Sequence, residues 1–178
     1  MEIAERSYKK LTLDDLRRLQ RTARREFAAF FERNAHLRAP YESRLLAIAL
    51  CQGAAKHYLD GVNGVKDIDI WFFFRESPGM RFPSRWLKVG DEAFNGFGVH
   101  PDDVAKGWQG RQIHVLGRAI ESDATDPCVC ISSYLSKSKT TTACMLAEKA
   151  VIGLWPEELF GKVIWPRGAR RAPGERAI

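Results

Sequence analysis

The chain has 178 residues, with 28 lysines and arginines against 22 aspartates and glutamates, for a formal net charge of +6. That length supports one domain with a sizeable core. No apolar run reaches the roughly 20 residues of a membrane span, which argues against a membrane partner, and MEIAERSYKK offers no apolar stretch for a secretory signal, so a cytoplasmic location is expected. The basic excess favours a polyanionic partner or a phosphate-bearing substrate.

Leu11 to Asn34 reads as an amphipathic helix. Thr12 is its expected N-cap, and Asp14 and Asp15 sit in the first turn, where the helix dipole favours them. Leu13, Leu16, Ala23, Phe27, Phe30 and Phe31 recur at helical spacing. Arg17, Arg18, Arg21, Arg24 and Arg25 fall on the outer face, as a solvated surface or as a nucleic-acid contact. Ala39-Pro40 is expected to break this helix. Tyr41 to Leu50 is open between helix and strand on periodicity, and its Leu and Ala content leans helical.

A helix is expected from Gly53 to Leu59, with Lys56 one turn in and His57 a half-exposed residue. Its first amides suit a triphosphate. A strand follows from Asp67 to Phe74. Asp67 and Asp69 are two residues apart, so both carboxylates share one strand face. Trp71 and Phe73 continue that face, and Ile68, Ile70, Phe72 and Phe74 take the other. Two carboxylates side by side on a buried strand are costly without a cation. Magnesium is the commonest answer, because it takes carboxylate and phosphate oxygens. The plainer alternative is structural: the pair caps a neighbouring helix or meets Arg111 or Arg118.

Arg75 to Gly98 is rich in Gly, Pro and charge and reads mostly as loop. Its Arg75, Arg81, Arg85 and Lys88 are interleaved with Phe82, Trp86 and Phe94, a mixture that either holds a phosphate and a base or pins a loop to the body. His100 to Asp103 begins a short helical or turn segment. Gly110 to Ile120 is a third strand, with Gln112, His114, Leu116 and Arg118 on one face. Cys51, Cys128, Cys130 and Cys144 form no CxxC pair, which fits reduced thiols, with Cys128-Val-Cys130 as a soft-metal alternative. Ser132 to Thr142 is polar and cationic and precedes an expected helix over Thr140 to Leu154. Its hydroxyls, with Lys137 and Lys139, suit either phosphate oxygens or helix capping. Pro156 to Leu159 reads as one more helical turn. Residues 1–165 are read as one domain and 166–178 as a basic, mobile tail. No internal repeat, Walker A loop, dinucleotide glycine fingerprint or nucleophile elbow is present.

Gln52-Gly53, the helix Ala54 to Leu59, Gly61 and Lys66-Asp67-Ile68-Asp69-Ile70 together resemble the head of the polymerase-beta-type nucleotidyltransferases, in the form seen in CCA-adding enzymes and poly(A) polymerases. The resemblance covers Leu50 to Phe74. It implies a strand over Ala47 to Cys51 after a short helix around Pro40 to Leu46. It also implies an α+β fold with a small mixed sheet, helices packed on one face and the acids at the open edge. The activity implied is transfer of a nucleoside monophosphate from a nucleoside triphosphate to a hydroxyl on RNA or another acceptor. Asp67 and Asp69 would hold Mg2+ or Mn2+, Gln52 and Gly53 would bring backbone to the phosphates, and Lys56, Lys137 and Lys139 would neutralise them. The family has Gly-Gly or Gly-Ser where this chain has Gln52-Gly53. It also has a third acid on a later strand, where this chain has His114, a poor magnesium ligand that could serve instead as a general base. Glu121, Asp123 and Asp126 are the alternative acids. The competing expectation is therefore a fold that keeps nucleotide or nucleic-acid binding and has lost the chemistry.

Overall fold

The computed structural model describes residues 1–83 and 86–171, and for 86–92 the backbone alone. The side chains of Arg85, Trp86 and Lys88 and the tail beyond Arg171 lie outside the described residues.

Helix α1 (Leu13–Arg33) starts on a reciprocal cap. The Asp15 amide donates to Thr12 Oγ1 at 3.1 Å, and the Thr12 amide donates to Asp15 Oδ2 at 2.8 Å, so two orphan donors are satisfied at once. The break comes at Asn34, earlier than Ala39-Pro40. Asn34 donates from its amide side chain to the Phe30 carbonyl at 2.9 Å and ends the ladder. Pro40 instead sits inside α2 (Ala35–Tyr41), next to its last residue. A single 3₁₀ turn, Glu42–Arg44, leads into strand β1 (Leu45–Cys51).

Helix α3 (Gln52–Asp60) follows β1 directly, and β2 (Ile68–Arg75) returns antiparallel to it. Strand β3 (Trp86–Phe94) forms in the stretch expected to be loop; hydrogen bonding along β4 (Arg111–Ile120) outweighs its glycines and charges. Helix α4 (Pro101–Val104) is the short segment after His100. Helix α5 (Pro127–Lys137) was not expected; Asp126 caps it, accepting from the Cys128 amide at 2.8 Å. Helix α6 (Thr141–Ala147) stops well short of Leu154, because Val151–Trp155 is strand β5. The helical spacing of Ala143, Leu146, Ala147 and Ala150 carries the eye past that boundary. The open edge of β1 recruits Val151 and its neighbours into the sheet. A 3₁₀ turn, Glu157–Leu159, and a short strand β6 (Val163–Trp165) follow.

The six strands form one mixed sheet in the order β3-β4-β2-β1-β5-β6. Among the described strands of this sheet, β2 and β4 are the one parallel pair. The expected α+β class and mixed sheet are what forms. One face, with Leu50, Ile70, Phe72, Phe74 and Val115, packs on α1, α2 and α3. Phe27 meets Phe72 edge-on, and Tyr41 and Phe82 close over Phe74. Helices are not confined to that face. Cys130, Ile131 and Leu135 of α5 and Leu146 of α6 pack against Trp71, Phe73 and Leu116 on the other, because those strand side chains are apolar on both sides. Burying each such large side chain contributes about 1.5–3 kcal/mol. Among the described residues no helix is long and apolar enough to cross a membrane.

The basic and aromatic stretch after β2 is pinned where it is described. Arg75 donates to the carbonyls of Ser122 and Ala124, and Phe82 and Phe94 are core residues. At the other end of the described chain, Arg171 lies 4.3 Å from the Tyr58 ring centre and donates to the Leu11 carbonyl at 2.8 Å.

Candidate functional site

The start of β2 lies beside the end of β1 and the start of β4. In register, Asp69 faces Cys51 on one side and His114 on the other. Directly opposed residues share a sheet face, so Cys51, Asp69 and His114 form a row across three strands. Asp67 lies in the bend one residue before β2, close enough for Asp69 and His114 to act on its carboxyl. Inward from the row, Trp71 and Leu116 are buried. The face therefore passes from half-buried carboxylates to closed packing within one residue pair.

The turn into β2 is built by its polar residues. Gly61 ends α3 in the left-handed conformation, with φ of 67°. Asp60 Oδ1 accepts from the amides of Val62 and Asn63 at 2.8 and 3.0 Å. Asn63 Nδ2 donates to the carbonyls of Gly53 and Gly64, both at 3.0 Å. This ties the start of α3 to the approach to Asp67. His57 is buried, not half-exposed. Its Nδ1 accepts from the Gly64 amide at 3.0 Å, and its Nε2 lies 3.0 Å from the Lys9 carbonyl. It packs inward because α3 turns that face onto the N-terminal segment. His57 is thus a joint in the turn.

The acids and His114 sense one another. Burial, then the neighbouring Asp69, raises the Asp67 carboxyl above its ordinary value, while His114 and Lys66 oppose the rise. The hydrogen bond to Asp69 raises His114, against burial. Burial, and then Asp69, pushes the Cys51 thiol well up. His114 Nδ1 lies 3.3 Å from Asp69 Oδ1, and Nε2 lies 3.3 Å from Gln112 Oε1. Burial would raise Asp103, but hydrogen bonds from Lys106 and Gln112 overcome it and lower it. Two carboxylates lie close to one imidazole and to the Lys66 ammonium in a half-buried cleft. Among the described residues, no three histidine, cysteine, aspartate or glutamate side chains gather closely enough to hold a metal ion by themselves. Asp69 and His114 meet, and Asp67 stands beside them.

The structure brings Gln52 and Gly53 to the same end of the sheet. The Gln52 amide donates to the Ala150 carbonyl at 3.1 Å, and its side chain reaches Met145 Sδ at 3.4 Å. Gln52 has φ of 61°, the one non-glycine residue with positive φ among those described. A left-handed non-glycine residue costs roughly 1–2 kcal/mol. Gln52→Gly is expected to raise Tm by about 2–4 °C for each kcal/mol relieved in a chain of this size, and thermal melts followed by circular dichroism check it. An unchanged or lower Tm means that the contact with Met145 outweighs the strain.

Lys56 is exposed one turn into α3. Lys137 lies elsewhere: with Arg118, Tyr134 and Asp123 it lines a cavity of about 620 Å³ at the far end of β4. Arg118 is four residues beyond His114, about 13 Å along a strand. Lys139 is exposed next to that cavity's Ser138 and Thr140. Arg111 makes no ion pair with the carboxylates; its guanidinium goes to backbone carbonyls. Sequence reasoning missed Asp103 at the site. Gln112 was legible, since it alternates with His114, but Asp103 arrives on α4 through irregular chain that carries no periodic signal.

These features define an α+β protein with a half-buried carboxylate pair and a histidine at one end of a mixed sheet. Compared with known proteins, the chain matches no family model, no curated protein and no solved structure.

Proposed function

We infer that this protein transfers a nucleoside monophosphate from a nucleoside triphosphate to an acceptor hydroxyl. The observation that carries the reading is Asp69 set between Cys51 and His114 at the mouth of β2, with Asp67 beside it and the strained turn into α3 alongside. Mg2+ or Mn2+ bound by Asp67 and Asp69 would supply Lewis-acid stabilisation of the triphosphate and of the leaving pyrophosphate. The chain's own groups do the rest. The Gln52 amide is held by the Ala150 carbonyl, so the amides of Gly53 and Ala54 would meet the phosphate chain, where the helix dipole favours negative charge. Lys56 adds a positive charge one turn further in. His114 accepts the proton of the attacking hydroxyl when it is neutral. The acceptor is an RNA end or another hydroxyl-bearing molecule, and the net charge of +6 favours the polyanion. Lys137 lines the cavity beyond Arg118, apart from this row, and is given no role in the transfer.

The test is direct. Purified protein is mixed with each α-labelled nucleoside triphosphate and Mg2+ or Mn2+, and pyrophosphate release and label transfer are followed. Release with at least one triphosphate is expected. Its absence across all four, both metals and RNA acceptors sinks the reading.

A second reading rests on a specific observation: His114 stands where the resembled enzymes carry a carboxylate. Under it, the cleft binds nucleotide or nucleic acid without turnover. His114→Asp separates the two. Activity that appears only in the variant identifies a protein that has lost its chemistry. A variant no more active than an active wild type removes this second reading.

A further inference from the structure

The N-terminal segment runs beside the chain that leads into Asp67. The Ser7 amide donates to the Val65 carbonyl at 2.8 Å, and the Val65 amide donates back to Ser7 at 2.7 Å. Arg111 Nη1 donates to the carbonyls of both Glu5 and Lys66, and the Lys9 carbonyl lies 3.0 Å from His57 Nε2. The segment is thus tied at Glu5, Ser7 and Lys9, against the residues just before Asp67. Ser7 is buried in this pairing, while its neighbour Tyr8 is 64 % exposed. One edge of the Tyr8 ring rests on Gly64: a Cβ added there would lie 3.0 Å from Tyr8 Cε1 and 3.2 Å from Cζ. Gly64 has φ of 71°, where a side chain is strained in any case. Val62, two residues earlier, is 71 % exposed.

A ring seated on tied backbone offers an apolar surface at small ordering cost to whatever stacks on it. Its surroundings are basic. Residues 5–10 and 62–66 carry Arg6, Lys9, Lys10 and Lys66 against the single acid Glu5, and the three lysines are exposed. Cations around an exposed ring suit a single nucleic-acid strand, with phosphates on the cations and a base on the ring. Gly64 is three residues from Asp67, at most about 11 Å of chain, so a strand held here lies close to the carboxylates.

We propose that Tyr8, with Arg6, Lys9, Lys10 and Lys66 around it, is a stacking platform for single-stranded RNA, the acceptor strand. This rests on reading RNA as the acceptor of the transfer, and it places that acceptor on the protein.

A labelled single-stranded RNA of about 12 nucleotides is titrated into the whole protein without nucleoside triphosphate and followed by fluorescence anisotropy. An RNA duplex of the same length is titrated in parallel, and polyphosphate binding is followed by calorimetry. The wild type is expected to bind the single strand more tightly than the duplex, whose bases are already stacked. Tyr8→Ala loses about 10-fold in affinity for the single strand and nothing for polyphosphate, while Tyr8→Phe, which keeps the ring, stays at the wild-type value. Replacing Lys9 and Lys10 together by alanine weakens both ligands and flattens the salt dependence of RNA binding. Far-ultraviolet dichroism confirms that each variant is folded. Single-strand affinity unchanged in Tyr8→Ala, an equal loss for polyphosphate, or a duplex bound as tightly as the single strand overturns the proposal. The two readings fail separately. A protein that binds RNA through Tyr8 but releases no pyrophosphate keeps the platform and loses the transferase. One that transfers nucleotide while Tyr8→Ala leaves RNA affinity untouched keeps the transferase and loses the platform.

Discussion

Asp69→Asn is expected to lower nucleotide transfer by about a thousandfold or more, equivalent to roughly 4 kcal/mol of transition-state stabilisation. Asp69 stands in the middle of the row across β1, β2 and β4 and contacts His114. The amide has the same shape and loses the charge that a cation needs. Asp67→Asn should reduce transfer comparably, but its stability changes in a defined direction. The Asp67 carboxyl is raised above its ordinary value of 3.8, chiefly by burial. A raised acid binds its proton more tightly in the folded state than in the unfolded one. Folding is therefore favoured at low pH, and that contribution is lost as pH rises through the folded value. At pH 7 the ionised Asp67 is a burden that asparagine lacks. Asp67→Asn should melt higher than wild type at neutral pH, and the gap should close as pH falls below 3.8. A site that weakens the fold when empty is the usual mark of function traded against stability. Transfer assays and melts across pH 3 to 7 are the measurements. Undiminished transfer in Asp69→Asn would mean that the carboxylates are structural.

How much of this was legible in the sequence depended on how local each signal was. The face of β2 that carries Asp69, Trp71 and Phe73 follows from alternation alone, and the helix after Cys51 follows from a short run bounded by Gly61. Thr12 and Asp15 mark the start of α1 because a cap is a contact across three residues. The register that sets His114 against Asp69 needs a parallel pairing between β2 and β4, and no local pattern encodes it. The same reason hid β3, whose glycine and charges read as loop until β4 supplies its hydrogen bonds. Val151–Trp155 was misread because its alanine-rich approach keeps helical spacing; the edge of β1, a hundred residues earlier in the chain, decides the matter. Helix α5 was hidden behind two cysteines and serines, which are poor helix formers. Its apolar face has meaning only beside Trp71 and Phe73.

Arg111 supports this arrangement from below, and its loss should be the most destabilising single change near the cleft. It is almost wholly buried, at 1 % exposure. Its guanidinium donates from Nε to the Phe97 carbonyl at 2.8 Å, from Nη2 to Ala4 at 2.7 Å, and from Nη1 to Glu5 at 3.0 Å and Lys66 at 3.3 Å. Three separate stretches of chain are thereby held on one side chain: the N-terminal segment, the approach to β4 and the residue before Asp67. Burial lowers the guanidinium's pKa, and Glu2, Asp103 and Asp67 act to hold it charged. Alanine leaves four carbonyls without this donor and opens a cavity. Breaking a buried charged network costs about 3–5 kcal/mol, and at about 2–4 °C per kcal/mol in a domain this size that is a fall in Tm of about 6–20 °C. Arg111→Lys keeps the charge but lacks the planar fork that reaches three directions. It should lie between wild type and alanine. Because the Lys66 carbonyl is one of the four, Arg111→Lys should also loosen Asp67, so metal affinity falls further than Tm alone would imply. A Tm within 3 °C of wild type in Arg111→Ala would show that backbone packing, not this guanidinium, places the start of β2.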